Sequence, residues 1–166
     1  MNNFTKNKHL RVTVCYGSQN GYAESLAMDI YKSLQFIDKK INSMNELDLE
    51  SLNLNDFIIF VISTSNQGSF PKNSQLFYNK LLNNKDDLYF KYFIIGVGDT
   101  SYTNFCSPSK KISIILSKTN CKKALDNIYL DDSIDHEEDY LLYKNKIIQV
   151  LKDEESDIKK WFTKSM

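Results

Sequence analysis

Val12-Thr-Val-Cys-Tyr-Gly-Ser-Gln-Asn-Gly-Tyr-Ala-Glu24 is the most informative segment of this chain, because it passes from apolar residues through a small polar loop into a helical pattern. Its β-branched and aromatic first residues are typical of a strand. The apolar residues that follow have the spacing of one helix face: Ala23, Leu26, Ala27, Ile30, Leu34 and Ile37. Unpaired N–H groups and the positive dipole end of that helix would face the loop. The segment therefore predicts a site for an anion such as a phosphate.

The composition argues against several classes of function. The 166 residues carry no net charge, which disfavours nucleic-acid binding, and no apolar run is long enough to cross a membrane. The first eleven residues lack the apolar core of a signal peptide. The three cysteines are odd in number and widely spaced, and neither they nor the two histidines have metal-ligand spacing. We therefore expect a cytoplasmic protein without a metal centre, and without nucleic acid or membrane as a partner.

Five β-runs alternate with helical patterns along the chain. The runs at 57–62 and 92–97 are apolar throughout, as the central strands of a parallel sheet are. The other three predicted strands lie at 11–16, 40–44 and 124–130. This alternation predicts an α/β fold with an open, doubly wound parallel sheet in a single domain, 1–152. Residues 153–157 are polar, and we expect them to break the last helix and begin a tail, 153–166, that could start a linker.

The helical patterns also predict which side chains face the core. In the helix after the third strand these are Leu76, Phe77, Leu81 and Leu82, and in the last helix they are Tyr140, Leu141, Ile147, Ile148 and Leu151. Pro108 suits the first turn of the helix between them, where its missing N–H costs nothing.

The loops after the first, third and fourth strands carry most of the polar and glycine residues, and they should meet at one edge of the sheet. Loop 17–21 lacks the lysine of a P-loop, the glycine spacing of a dinucleotide fingerprint and the serine position of a Gly-x-Ser-x-Gly elbow. It is either a set of neutral donors for a phosphomonoester or only a well-capped βα turn. In loop 96–104, Tyr102 could stack on a planar ring or simply pack, while Asp99 and Asn104 could hydrogen-bond a heterocycle.

Three of these segments together resemble a known family. Tyr16-Gly-Ser-Gln-Asn-Gly-Tyr-Ala-Glu24, Ser63-Thr-Ser-Asn-Gln-Gly-Ser-Phe-Pro-Lys-Asn73 and Gly96-Val-Gly-Asp-Thr-Ser-Tyr-Thr-Asn-Phe105 resemble the three FMN loops of flavodoxins, most closely those of the NADPH-dependent diflavin reductases. Asp131-Asp-Ser-Ile-Asp-His-Glu-Glu-Asp-Tyr140 is similar to the acidic segment of that family, and the resemblance covers roughly residues 10–152. It implies a flavodoxin-like three-layer sandwich, with a five-stranded parallel sheet of order 2-1-3-4-5 and helices on both faces.

The resemblance also implies how FMN would be held, with no residue acting as acid, base or nucleophile. The FMN phosphate would be bound by Ser18, Gln19, Asn20, Gly21 and Ala23, with the bulky Tyr22 beside them. The inner edge of the isoalloxazine would lie along Ser63, Thr64, Ser65, Asn66, Gln67 and Gly68. Tyr102 would stack on its outer face, and the rest of the site would comprise Gly98, Asp99, Asn104, Phe105 and, near the far side of the ring, Asp132.

Two positions in the second loop depart from the family pattern. Ser65 stands where many diflavin reductases have an aromatic ring that stacks on the flavin, so we expect FMN binding to weaken by roughly 0.5–1.5 kcal/mol. Asn66 stands where the family has a glycine whose carbonyl can turn towards the reduced flavin. Because asparagine adopts positive φ less freely than glycine, a penalty of ~1 kcal/mol on one redox form would move a one-electron potential by roughly 40 mV.

The resemblance implies a role in electron transfer. FMN would receive electrons from an FAD/NADPH reductase module, in the same chain or a separate protein, and a redox protein would accept them. Gln67-Gly68 is similar to the branch that serves cytosolic iron–sulfur assembly, so the acceptor could be an iron–sulfur protein that docks on the acidic segment. That segment could instead be only a solvated helix start. A stand-alone flavodoxin and a flavin-free interaction domain are the alternatives; we expect a monomer that does not oxidise NADPH by itself.

Overall fold

A parallel sheet forms the centre of the molecule in a computed structural model that describes residues 9–164. Neighbouring strands follow the order β2-β1-β3-β4, and β5 and β6 both pair with β4. The strands are β1 (Arg11–Gly17), β2 (Asp38–Ser43), β3 (Phe57–Ser63), β4 (Lys91–Gly98), β5 (Lys122–Lys123) and β6 (Ile128–Asp131). The predicted parallel sheet of order 2-1-3-4-5 is confirmed. Residues 1–8, which begin the predicted domain, and 165–166, which end the predicted tail, lie outside the described residues.

Helices cover both faces of the sheet. Helices α1 (Tyr22–Ser33) and α5 (Glu137–Lys164) pack on one face, and α3 (Gln75–Leu82) and α4 (Ser107–Ser117) pack on the other. A 3₁₀ turn (Met44–Glu46) and the single-turn helix α2 (Leu49–Leu52) connect β2 to β3. The predicted three-layer arrangement is therefore confirmed.

Strand β3 shows how the sheet is buried on both sides. Its alternate side chains enter two separate apolar cores, with Phe57, Ile59 and Val61 on the α1/α5 side and Ile58, Phe60 and Ile62 on the α3/α4 side. An apolar run without polar alternation is what a central parallel strand requires. This burial fixes the end of β3 firmly at the edge where the polar loops begin.

The predicted continuous fifth strand, 124–130, was wrong, because it is divided into β5 and β6. Between the two pieces, the Tyr143 hydroxyl of α5 donates to the Asp126 carbonyl at 2.9 Å. The Asn127 side-chain amide donates to Ser113 Oγ of α4 at 2.9 Å. Contacts with the two flanking helices thus replace ladder pairing over these residues.

Helix α5 runs without interruption, so the predicted break at 153–157 was also wrong. Glu155, in the middle of that polar run, is only 3% exposed. One carboxylate oxygen accepts the Leu10 N–H at 2.8 Å, and the other lies 2.7 Å from His9 Nδ1. The carboxylate therefore anchors the chain just before β1, which keeps this part of the helix packed. The boundary between domain and tail stays a prediction.

Three leucines that were predicted to face the core are exposed: Leu76, Leu82 and Leu141. Of the four core-facing residues predicted in α3, Phe77 and Leu81 are buried, because a helix of two turns buries only one narrow stripe of side chains.

Candidate functional site

Three loops leave the carboxyl ends of β1, β3 and β4 at the same edge of the sheet. They are loop 1 (residues 18–21), loop 2 (residues 64–74) and loop 3 (residues 99–106). Hydrogen bonds join loop 1 to loop 2 and loop 2 to loop 3, and the segment after β6 is bonded to the end of β4. The edge predicted to carry a ligand is therefore built from parts of the chain that are distant in sequence.

Loop 1 leads into a helix whose N-terminus has no side-chain cap among the described residues. Gly21, which precedes α1, has φ 86°, in the left-handed region that favours glycine. Its N–H donates to Ser18 Oγ at 3.0 Å, which closes the loop into a tight turn. The N–H groups in the first turn of α1 have no acceptor within the helix, so they can receive an anion.

Loop 2 supports loop 1 through side chains. The Ser18 N–H donates to Asn73 Oδ1 at 2.8 Å, and a backbone N–H of loop 2 donates to Gln19 Oε1 at 3.4 Å. The Ser63 hydroxyl donates to the Gly17 carbonyl at 3.1 Å. These groups hold the loops together. Asn73 was not assigned to the site from sequence, although it ends the second of the three matching segments.

The other predicted residues of loop 1 lie in different surroundings. Asn20 and Gly21 are exposed, whereas Ala23 is buried. The Tyr22 side chain contacts the segment before α5, where its hydroxyl lies 3.0 Å from His136 Nε2. Sequence reasoning missed His136, because a single histidine within an acidic run shows neither motif nor ligand spacing.

Loop 2 contains a tight turn at the predicted ring position. Ser65 and Ser69 exchange two backbone hydrogen bonds, at 2.8 and 2.7 Å, and Ser65 is buried. Between them, Asn66 has φ 43° and Gly68 has φ 104°. The Thr64 hydroxyl donates to a β4 carbonyl at 2.9 Å. The turn thus places Asn66 in the left-handed region, where asparagine is tolerated better than most residues.

Loop 3 meets loop 2 at Asn104. The Asn104 amide donates to the Gln67 carbonyl at 2.9 Å, and a Cβ on Gly68 would lie only 2.5 Å from Asn104 Cβ. Tyr102 is 57% exposed beside this contact, so its ring is free to stack on a planar ligand. A cavity of about 310 Å³ is lined there by Gln67, Ser101, Tyr102, Thr103 and Asn104.

The end of β6 and the residue after it contact loop 3 and the end of β4 through two aspartates. The Asp132 N–H donates to the Gly98 carbonyl at 2.7 Å. Asp131 accepts hydrogen bonds from Thr100 and Ser133, which hold the pKa of its carboxyl well below the usual range. Asp131 therefore anchors loop 3, a role that the sequence did not indicate, while the predicted Asp132 is exposed.

The last residues of loop 3 shape its turn. Phe105 is half-buried, with Lys110 Nζ 5.2 Å from the centre of its ring. A Cβ on Gly98 would lie 3.0 Å from Cys106 N, so Gly98 permits this close approach. Burial raises the pKa of the Cys106 thiol to about 12, which keeps it protonated. Asp99 accepts the N–H two residues later at 2.8 Å and so stabilises the turn.

The comparison with known protein families matches this arrangement of fold and loops. Residues 14–142 match the family model of flavodoxin. The chain belongs to the flavodoxin family. The matched range of this flavodoxin-family chain contains all three loops and the segment after β6.

Relatives of this flavodoxin-family chain include two reductases. It is 39% identical over 115 residues to NADPH-dependent diflavin oxidoreductase 1 from Schizosaccharomyces pombe, covering 64% of this chain and 19% of that protein. It is 28% identical over 148 residues to the sulfite reductase (NADPH) flavoprotein alpha-component from Buchnera aphidicola, covering 86% and 24%. The chain thus spans no more than about a quarter of these relatives, and the predicted resemblance to diflavin reductases is confirmed.

A solved structure supports the fold. The oxidised flavodoxin 2 from Bacillus cereus superposes with a TM-score of 0.72 at 24% identity, covering 87% of this chain and 99% of the other. Within residues 9–164 of this flavodoxin-family chain, every helix is too short or too polar to span a bilayer.

Proposed function

We propose that this chain is an FMN-binding electron-transfer domain, which relays electrons from an FAD/NADPH reductase module to a redox protein. One observation carries the proposal: three loops from three parallel strands are hydrogen-bonded together at the carboxyl edge of a flavodoxin-family sheet. Bound FMN would supply the redox chemistry, while the chain binds and orients it.

The residues of this edge suit such a ligand. The uncapped first turn of α1, with Gln19, Asn20 and Gly21 exposed beside it, would hold the phosphate. The exposed ring of Tyr102 would take one face of the isoalloxazine. Loop 2 would lie along the other face, with Asn66 at its tip. Ser18, Ser63 and Thr64 would act mainly through the loop contacts that they already make.

The proposed partners of the domain follow from its relatives and from its acidic segment, 131–139. We propose an FAD/NADPH reductase module as the electron donor, either in the same full-length chain or separate, so that this chain alone does not oxidise NADPH. The acceptor would be a redox protein, such as an iron–sulfur protein. It would dock on the acidic residues at 131–139, which contact loop 3 through Asp131 and Thr100, because opposite charge steers association. We propose a monomer that acts in the cytoplasm.

Flavin titration tests the cofactor. The purified chain should quench FMN fluorescence stoichiometrically and give a flavin visible spectrum, and it should bind riboflavin, which lacks the phosphate, more weakly. A chain that stays colourless and ignores added FMN contradicts the proposal.

Electron transfer is tested on the FMN-loaded chain. NADPH alone should leave it oxidised, whereas NADPH with the FAD/NADPH module of a diflavin reductase should reduce it. The rate of onward transfer to a basic acceptor should fall with salt and in Glu138→Gln, while the exposed Glu50→Gln on α2 serves as the matched control. If the rate changes neither with salt nor in Glu138→Gln, the acidic docking face is contradicted.

A further inference from the structure

His136 joins two parts of the candidate site through a single ring nitrogen. Its side chain is only 10% exposed, although it lies in an acidic, solvated segment. Its Nε2 atom lies 3.0 Å from the Tyr22 hydroxyl and 3.2 Å from Asp132 Oδ1. The Tyr22 and His136 ring centres are 5.7 Å apart. The contact therefore links the first residue of α1 to the segment after β6.

Both sides of this contact are anchored in the fold. The His136 carbonyl accepts the N–H of Tyr140, whose hydroxyl donates to Asp29 Oδ2 of α1 at 2.6 Å. Asp132 is held by its N–H, which donates to the Gly98 carbonyl. The imidazole thus bridges two parts of the chain that are each hydrogen-bonded to the rest of the fold.

An ionised carboxylate only accepts hydrogen bonds, so His136 Nε2–H donates to Asp132, and the Tyr22 hydroxyl oxygen accepts from the same N–H. Burial, with the negative charges of Asp132 and Glu137, raises the pKa of Tyr22, so its hydroxyl keeps its proton. His136 Nδ1 is buried, and no atom of the described residues hydrogen-bonds to it. An unpaired buried nitrogen carries a free-energy cost. The polar anchoring of the ring therefore comes from the contacts at Nε2.

We infer that His136 is a positioning residue, which holds the start of α1 against the segment after β6. This contact would strengthen the binding of the FMN phosphate by loop 1. This inference rests on the proposed function. Tyr22 occupies the first turn of α1, whose free N–H groups would face the phosphate. Ordering that turn before binding removes part of the entropic cost of binding. The contact with His136 gives the bulky Tyr22 side chain a structural role.

Titrations with FMN and riboflavin test the link, since only FMN engages loop 1 by its phosphate. His136→Leu should raise the FMN dissociation constant about tenfold and that of riboflavin by less than about twofold. His136→Gln, whose amide nitrogen can reach the same oxygens, should restore FMN binding to within about threefold of the parent. Tyr22→Phe, which keeps the ring, should weaken FMN binding about fivefold. Tyr89→Phe is the matched control, because Tyr89 makes an exposed hydroxyl contact with Asp87 away from the loops.

Hydrogen exchange of the apo protein provides a readout that does not need flavin. Amides in the first turn of α1 should exchange several-fold faster in His136→Leu than in the parent or His136→Gln. The inference is overturned if His136→Leu leaves both the FMN-to-riboflavin ratio and this exchange unchanged, or if it weakens both flavins equally. It is also overturned if His136→Gln fails to restore the FMN-to-riboflavin ratio and the amide exchange. If the leucine variant does not fold, Tyr22→Phe tests the same contact. Failure of the proposed function can be told apart from failure of this inference, because the parent itself would then not bind FMN.

Discussion

Gly68 is the residue of loop 2 where a single methyl group should damage the site most. Its φ of 104° lies in the region that L side chains rarely adopt. An added Cβ would lie 2.5 Å from Asn104 Cβ, well inside any normal contact. In Gly68→Ala, either the turn or Asn104 must move, and the contact between loops 2 and 3 is lost.

The magnitude follows from these two effects. A strained backbone at this φ costs on the order of 1–3 kcal/mol. Displacing Asn104 gives up its hydrogen bond to the Gln67 carbonyl, which contributes about 0.5–1.5 kcal/mol. A combined loss of about 3 kcal/mol would weaken FMN binding on the order of a hundredfold. The free energy of unfolding should change less, because an exposed loop can relax locally.

The assay is flavin titration, with urea unfolding of the apo protein measured in parallel. Gly21→Ala is the matched control: it has a similar positive φ of 86°, but an added Cβ there meets no heavy atom of the described residues within 4 Å. It should show the effect of positive-φ strain without a clash against a neighbouring loop, about tenfold in FMN affinity. If Gly68→Ala binds FMN as tightly as the parent, or no more weakly than Gly21→Ala, the proposed role of the contact between loops 2 and 3 is wrong.

Three further substitutions test other parts of the molecule. Glu155→Ala should lower the free energy of unfolding by about 2–3 kcal/mol in urea titration, because it leaves a backbone N–H unpaired and creates a cavity. As the control, Glu154→Ala removes a half-exposed ion pair and should shift this free energy by less than about 0.5 kcal/mol. Tyr102→Ala should weaken FMN and riboflavin about equally, by roughly fivefold, since it removes only stacking; a loss confined to FMN would contradict this. Asn66→Gly should move one one-electron potential by roughly 40 mV in an electrochemical titration, and an unchanged pair of potentials would show that φ at this residue does not matter.

The sequence indicated the first four strands and the location of the site, because both depend on local patterns. Apolar runs such as 57–62 are typical of central strands in a parallel sheet, and the loops that follow such strands lie at one edge. Gly21 and Gly68 were assigned to the site through the matched segments, because the sequence does not show which glycines adopt positive φ. The resemblance of these segments to the FMN loops of flavodoxins then indicated FMN as the ligand.

The contacts that hold the loops together could not be predicted in this way. Asn73 bonds to loop 1, and Asp131 bonds to loop 3, only because the strand register brings them there. Glu155 lies in a polar run that is typical of solvent-exposed chain, and its burial depends on a backbone N–H from the other end of the sequence. The prediction that Leu76 is buried was wrong for a different reason. Helical spacing indicates an apolar face, but it does not say how much of that face the sheet covers.

Helix α5 gives these unpredicted residues a common frame. His136, just before its first turn, and Glu155, in its second half, are nearly twenty residues apart, which at about 1.5 Å per residue is roughly 28 Å. Glu155 ties the helix to the chain entering β1, whereas His136 contacts the start of α1 at the edge that carries the loops. Effects at sites this far apart, with no shared partner, are usually additive. The stability of the fold and the closure of the flavin edge are therefore separate properties, although one continuous helix supports both.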